Sequence, residues 1–232
     1  MKPVLLSLLL LMASRHASAQ MDFAVVADKD GYVNVRQRPG ADKPVKDKLY
    51  NGDVVFVMGG EGNSDWWEID YSRKKDDNGN GYVHKSRLKM IAGMPAGKAT
   101  YKSLDSLVLQ LGNIKVVIVR IPFVAARHKL HYSNQRQLDR IDGLDFWGTD
   151  GGLPQTAYKA ITIITGKKEY KLPAAALQSL FNPSLHMVAI HEDAAAERLY
   201  VSSYNSDGAG GYTVLWCIEH GKYLFRRAFY GF

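Results

Sequence analysis

The stretch Val33-Asn34-Val35-Arg36-Gln37-Arg38-Pro39-Gly40 decides how the first part of the chain folds. Its opening residues alternate between apolar and polar, which places Val33 and Val35 on one face of a short β-strand. The Pro39-Gly40 pair then breaks the strand, because proline lacks a backbone N–H and glycine accepts turn conformations. A half-buried strand that ends in a turn is typical of antiparallel β structure.

On both sides of this stretch, short apolar or aromatic runs alternate with turn signals. The runs that predict strands are Ala24 to Ala27, Lys48 to Tyr50, Val54 to Val57, Trp66 to Ile69 and Tyr82 to His84. Segments rich in glycine, asparagine and aspartate separate them, and these residues favour turns. Several short strands at close spacing predict a small β-barrel over residues 21–91.

Four of these segments, in this order, resemble the bacterial SH3-like domain family. They are the opening motif Val33 to Gly40, the glycine turn before a valine strand at Asn51 to Val55, the aromatic strand Trp66 to Ile69, and the closing segment Gly81 to His84, followed by Leu88. The resemblance implies an SH3-like small barrel over residues 21–91. The polar insert between Tyr71 and Gly81 is longer than is usual in the family and predicts a protruding loop.

The same resemblance implies binding and not catalysis, because such domains recognise peptidoglycan or short peptides through a shallow aromatic groove. Neighbouring side chains of a strand point to opposite faces. Trp67 shares a face with Ile69 and is expected in the core, whereas Trp66 shares a face with Glu68 and is expected in the groove. The expected ligand-binding residues are Trp66, Glu68, Tyr32 and Tyr82; the alternative is that these aromatic side chains only pack.

The N-terminal residues 1–19 have the pattern of a cleavable export signal. Lys2 precedes an apolar run from Val4 to Met12, and Ala17-Ser18-Ala19 offers the small residues that signal peptidases accept. The run is too short for a transmembrane anchor, which needs roughly 20 apolar residues. We therefore expect a periplasmic or secreted protein without a transmembrane anchor.

Residues 92–102 contain Gly93, Pro95 and Gly97 and predict a linker. Residues 103–232 predict an α+β domain that is dominated by antiparallel sheet and has one or two helices, one of them from Ala174 to Phe181. The whole chain is thus expected to be mostly β. Two turn-rich loops, which carry Asp150 and Asp207, are candidates for contact with a partner.

Catalytic and metal-binding patterns are weak throughout the chain. The single cysteine, Cys217, lies in an alternating strand, whereas a nucleophilic cysteine is expected at a helix N-terminus. His128 and His131, and the group His186, His191, Glu192 and Asp193, do not have the spacing of a zinc motif. In a calcium loop that began at Asp76, the twelfth position would be Arg87 and not glutamate. We expect no catalytic residues, no metal and no cofactor.

The sequence therefore predicts an exported, non-enzymatic binding protein. Its SH3-like module would recognise peptidoglycan or a peptide at the cell envelope. An alternative is a periplasmic inhibitor or immunity-type protein that binds a wall-directed hydrolase or a toxin through its polar loops. A cell-wall hydrolase with a scattered catalytic site is a third hypothesis. Removal of residues 1–19, which contain Lys2 and Arg15 and no acidic residue, would lower the formal net charge from +7 to +5. This mildly basic charge is compatible with an anionic partner such as a cell-wall polymer, but an exported protein is not expected to meet nucleic acid.

Overall fold

The computed structural model describes residues 21–60, 62–74, 77–134, 136–206 and 208–230. The expected export signal, residues 1–19, lies outside the described residues. The described chain is mostly antiparallel β structure, as predicted. No helix in these ranges is long and apolar enough to cross a membrane.

The N-terminal part forms one curled sheet of seven strands, a half-barrel. The strands are β1 Asp22–Val26, β2 Tyr32–Arg36, β3 Val45–Tyr50, β4 Val54–Gly59, β5 Trp66–Lys74, β6 Asp77–His84 and β7 Leu88–Met90. Their order in the sheet is β3-β2-β6-β5-β4-β1-β7. The concave side holds an apolar core to which Val33, Val35, Ile69 and Val83 contribute, with Trp67 packed against it.

Gly81 lets strands β2 and β6 approach each other at the middle of the half-barrel. A Cβ atom on Gly81 would lie 2.5 Å from Cγ1 of Val35 and 2.8 Å from the carbonyl oxygen of Arg36. Only glycine fits such a distance. The pair Arg36 and Tyr82 is consequently in register across these two strands.

The polar insert differs from the expected protruding loop. Strands β5 and β6 extend through it as a hairpin, in which Ser72 is in register with Asn78 and Tyr71 with Gly79. The Ser72 hydroxyl also donates a hydrogen bond of 2.8 Å to Oδ1 of Asn78. Polar side chains do not prevent pairing here, because the ladder is made by backbone N–H and C=O groups of the two strands.

The C-terminal part contains a five-stranded sheet, a four-stranded sheet and a two-stranded sheet. The strands are β8 Lys98–Lys102, β9 Ser106–Leu111, β10 Ile114–Pro122, β11 Leu130–Tyr132, β12 Leu138–Ile141, β13 Thr156–Thr165, β14 Lys168–Lys171, β15 Val188–Asp193, β16 Arg198–Asn205, β17 Tyr212–Glu219 and β18 Lys222–Tyr230. The five-stranded order is β14-β13-β10-β9-β8, and β15 to β18 follow one another in the four-stranded sheet.

Two local expectations for this part need correction. The expected linker, residues 92–102, holds strand β8, which pairs with β9. The helix expected from Ala174 to Phe181 is one turn, α1 Ala174–Leu177, after Pro173. It ends early because Gln178 already has an extended backbone, with ψ 140°, and Ser179 has a positive φ of 64°.

The four-stranded sheet lies between the other two large sheets and is buried on both faces. On one face, Leu215, Cys217, Tyr200 and Phe229 pack against Phe23, Phe56 and other residues of the half-barrel, together with Ile91 and Met94. The rings of Phe56 and Phe229 are stacked with their centroids 5.9 Å apart. The half-barrel and the C-terminal part therefore share a core; we call this cluster the junction core.

The opposite face of the four-stranded sheet packs against the five-stranded sheet. This second core includes Ile118 and Ile161 from the five-stranded sheet and Val214 and Trp216 from β17. Nε1 of Trp216 donates a hydrogen bond of 2.7 Å to the carbonyl oxygen of Ala176 in α1. The three sheets thus form successive layers with two cores between them.

Candidate functional site

The convex face of β5 and β6 gathers three of the four residues predicted to bind a ligand. Trp66 and Glu68 point to this face, while Trp67 points to the inner core as predicted. Glu68 is in register with Tyr82, and Trp66 is in register with His84. The rings of Trp66 and His84 meet edge to face with centroids 5.6 Å apart. All four side chains are half-buried, so the face is a shallow surface with aromatic and polar members.

Tyr32, the fourth predicted residue, lies on β2, at the end of that strand away from Tyr82. It is in register with Tyr50, and Nζ of Lys48 stands 3.8 Å from the centre of its ring. The β2 residue in register with Tyr82 is Arg36, whose Nη1 donates a hydrogen bond of 2.6 Å to the carbonyl oxygen of Lys43. The alternation of Val33 and Val35 already implied that Arg36 points outward, so the sequence contained the signal for it.

The aromatic face continues into a cleft at the edge of the C-terminal part. Asp70 and Asn80 follow Glu68 and Tyr82 on the same face and are in register with each other. Nζ of Lys46 donates a hydrogen bond of 2.8 Å to Oδ1 of Asn80. Phe229 and Tyr230 of β18 line the other side of this cleft, whose volume is about 330 Å³. We call the surface from Trp66 to Tyr230 the composite groove.

Two carboxylates, Glu68 and Asp70, lie on the composite groove, and Lys46 lines the same cleft as Asp70. Asp70 is two residues from Glu68 on the same face of β5. Burial raises the pKa of Asp70, and the neighbouring Glu68 raises it further. A carboxyl group held in this way is costly to charge, and a cationic group placed beside it would lower that cost.

The part of the chain that carries Trp66, Glu68, Asp70 and Tyr82 is similar to a known domain family. Residues 31–89 match the family model of the bacterial SH3 domain. A search of curated proteins and a search of solved structures each found no match. The bacterial SH3 domain is a binding module, and the matched segment holds Trp66, Glu68, Asp70 and Tyr82. The match ends before the C-terminal part, which therefore has no recognised family.

Neutralising Asp70 is expected to stabilise the protein at neutral pH. Because the folded-state pKa of Asp70 is raised, its charged form costs stability above that pKa, and the cost disappears as the pH falls through it. Asp70→Asn should therefore raise the melting temperature at pH 7 and change it less at pH 3. Thermal unfolding monitored by circular dichroism at both pH values measures the difference. An equal or lower melting temperature at pH 7 would show that burial does not penalise this carboxylate.

The described parts of the two candidate partner loops lie against each other. The Ser206 hydroxyl donates a hydrogen bond of 3.0 Å to the carbonyl oxygen of Gly148. A Cβ atom on Gly210 would lie 2.8 Å from Cα of Thr149, so the glycine-rich segment needs glycine for this close approach. Asp150 is exposed on this surface, whereas Asp207 lies outside the described residues.

The loop surface also adjoins the composite groove. The rings of Trp147 and Tyr230 are packed with their centroids 4.6 Å apart. Trp147 directly precedes the Gly148 loop, and Tyr230 lines the cleft. The loop after Trp147, the end of β18 and the β5–β6 hairpin are thus adjacent, although they are far apart in the sequence.

Among the described residues, Cys217 does not lie beside His186 or His191, as a cysteine hydrolase would require. Cys217 is fully buried in the junction core. His191 faces the same layer, but Tyr200 of β16 lies between them in the register. His186 is exposed on a turn. Among the described residues, no group of three or more His, Cys, Asp or Glu side chains is arranged to hold a metal ion.

His191 and Asp22 lie close enough at the margin of the junction core for their charges to interact. Burial lowers the pKa of His191, and the charge of Asp22 opposes that shift. Burial likewise raises the pKa of Asp22. Both shifts favour the neutral forms of these two side chains, because burial penalises the charged forms.

Cys217 is expected to be inert towards thiol reagents in the folded protein. Burial raises the pKa of the thiol to about 12. At pH 8 only about one molecule in ten thousand would carry the reactive thiolate. A colourimetric disulfide reagent should therefore label the native protein at least about a hundred times more slowly than the protein in guanidinium. Rapid stoichiometric labelling of the native protein would contradict the buried position.

Proposed function

We propose that this protein is an exported, non-enzymatic binding protein whose SH3 domain recognises a peptide of the cell wall. The composite groove carries the proposal, because it combines aromatic rings with two carboxylates on one accessible face of the domain. The N-terminal signal pattern supports a location in the periplasm or outside the cell. Both peptidoglycan and free envelope peptides offer the chemistry that such a groove recognises.

The chemistry of the groove favours a ligand with a cationic group. Trp66 and Tyr82 supply ring faces and edges for aliphatic or sugar surfaces. Glu68 and Asp70 supply two acceptors for an ammonium group, and Asp70 gains most from such a partner because its charge is poorly solvated. Amino groups on the peptide stems of a cell wall would provide this partner.

Binding to purified cell wall tests the proposal. Trp66→Ala should lower the affinity about tenfold or more, since a central aromatic anchor commonly contributes this much to an interface. Tyr132→Ala is the matched control, because Tyr132 is 48 % exposed on β11 and lies outside the groove. Equal affinities of the two variants would remove Trp66 from the site, and absence of binding by the unmodified protein would remove the cell-wall ligand.

A second candidate function, an inhibitor or immunity-type protein for a wall-directed hydrolase or toxin, is favoured by the loop surface. Loops that a rigid scaffold holds together are suited to protein recognition. Here the loop of Asp150 packs against the segment that contains Gly210. Asp150→Arg should weaken the binding of any envelope protein that co-purifies with the chain, while Trp66→Ala should leave that binding unchanged. Recovery of no stable partner from an envelope extract would count against this function.

A further inference from the structure

The outer face of the five-stranded sheet is apolar at its centre and open. Its inner face packs into the second core through Leu107, Leu109, Val116 and Ile118. The alternate residues Val108, Val117, Val119 and Ile164 point the other way and are half-buried. Within the part of the chain that the structure describes, they belong to none of the packed clusters. At the edge of the sheet, Tyr101 of β8 is 57 % exposed.

Strand register places lysines among and around these apolar side chains. One row across the sheet reads Lys171, Thr162, Val117, Val108 and Tyr101. The next row reads Glu169, Ile164, Lys115, Gln110 and Lys98. Lys171 is thus at one end of the first row, while Lys115 is in the middle and Lys98 at one end of the second row. Glu169 is the acidic residue of these two rows. We call this surface the lysine face.

Most of the net positive charge of the chain comes from this sheet. Residues 98–121 and 156–171 contain eight Lys or Arg and two Asp or Glu, a net charge of +6, whereas the whole chain has a net charge of +7. Arg120 is paired with Asp105 at a distance of 3.2 Å. Among the described residues, no carboxylate lies within ion-pair distance of Lys98, Lys115 or Lys171. Their charges are therefore available to a partner.

We propose that the lysine face docks on an anionic phospholipid bilayer. An apolar centre with cationic side chains beside it matches the boundary between acyl chains and negatively charged headgroups. The outer face of a sheet is broad, which suits a planar surface. A second copy of the chain is a poorer match, because it would bring the same unpaired lysines against one another. The composite groove is built from other strands, so the two surfaces can act independently.

Flotation with phospholipid vesicles tests this proposal. The chain should bind vesicles that contain phosphatidylglycerol and not vesicles of phosphatidylcholine alone. Each lysine near an anionic surface contributes about fivefold to the partition coefficient. The triple variant Lys98→Gln/Lys115→Gln/Lys171→Gln should therefore bind roughly a hundredfold more weakly.

A second triple, Lys29→Gln/Lys129→Gln/Lys222→Gln, is the matched control. It removes the same charge from exposed positions outside the sheet. Both triples are made in the same chain, so that the N-terminal apolar segment contributes equally to each. Circular dichroism and thermal unfolding confirm that both fold. Equal loss of binding in the two triples would overturn the proposal, because net charge alone would then explain it.

Two further measurements separate the bilayer from other occupants. A polarity-sensitive dye on Tyr101→Cys should shift to the blue with anionic vesicles, whereas the same dye on Tyr132→Cys should not; buried Cys217 does not compete for the label. Binding to soluble polyphosphate through the three lysines, without binding to vesicles, would overturn the lipid assignment. A dimer that depends on the lysine face in light scattering, again without binding to vesicles, would overturn it in favour of a second copy.

Discussion

Replacing Phe56 with alanine is expected to lower the free energy of unfolding by about 3–5 kcal/mol, the usual cost of deleting a buried aromatic side chain. Phe56 is 0 % exposed and lies in the junction core. It contacts Phe23 at a centroid distance of 5.2 Å and Phe229 at 5.9 Å. The cavity would open between the half-barrel and the four-stranded sheet, where neither side can collapse without displacing the other.

Guanidinium unfolding followed by tryptophan fluorescence and by far-ultraviolet circular dichroism measures this loss. Phe56→Leu is the conservative control and should recover most of the stability, because it keeps much of the apolar volume. The shared core predicts that the two signals change together in one transition. Two separate transitions, or a loss below about 1 kcal/mol for Phe56→Ala, would contradict the packing at the junction.

Replacing Trp216 with alanine should have an effect of similar size from the opposite face of the same sheet, about 3–5 kcal/mol. Trp216 is 0 % exposed, and its ring meets that of Tyr158 edge to face at a centroid distance of 5.4 Å. Its indole N–H also donates a hydrogen bond to Ala176. The variant would lose both the apolar contact and the attachment of α1 to the sheet.

Trp216→Phe distinguishes these two contributions. Phenylalanine retains an aromatic ring in the core but cannot donate a hydrogen bond to the carbonyl oxygen of Ala176, so a smaller loss of about 1–3 kcal/mol is expected. Denaturation midpoints of both variants, measured beside Trp66→Ala, provide the comparison. If Trp216→Ala were no less stable than Trp66→Ala, the second core would not support the four-stranded sheet.

Much of the half-barrel could be predicted because its signals are local. The alternation of Val33 with Val35 and the turn at Pro39-Gly40 require no knowledge of distant residues. The same alternation correctly separated Trp67, which packs against the inner core, from Trp66, which is on the outer face. Turn chemistry and side-chain alternation therefore sufficed for the strands and for part of the candidate site.

The sequence also contains a local signal for the junction core. Phe23 to Val26 and Val54 to Val57 are continuous apolar runs, where a strand with one solvated face would alternate. Alternate members of each run pack into the inner core and into the junction core. Unbroken apolar strands in an antiparallel unit indicate that both faces are covered, and hence that another layer must pack against the half-barrel.

The rest of the groove could not be predicted from local patterns. Tyr230 lies about 150 residues after the strands that it faces across the cleft, and no periodicity connects them. The contact between Gly210 and Thr149 likewise depends on how two loops cross after the sheets have packed. These contacts follow from layer packing, which alternation within a single strand does not determine.

The junction core also bears on how this domain can be inherited. The family match covers residues 31–89, but strand β1 precedes it and lies between β4 and β7 within the sheet. A gene rearrangement that moved only the matched segment would leave out this interior strand. One that moved residues 21–91 would leave Phe23, Phe56 and Ile91 without their covering layer. The SH3 domain and the sheet beside it are therefore expected to pass between genomes as a pair, with substitutions on one side of the junction accompanied by substitutions on the other.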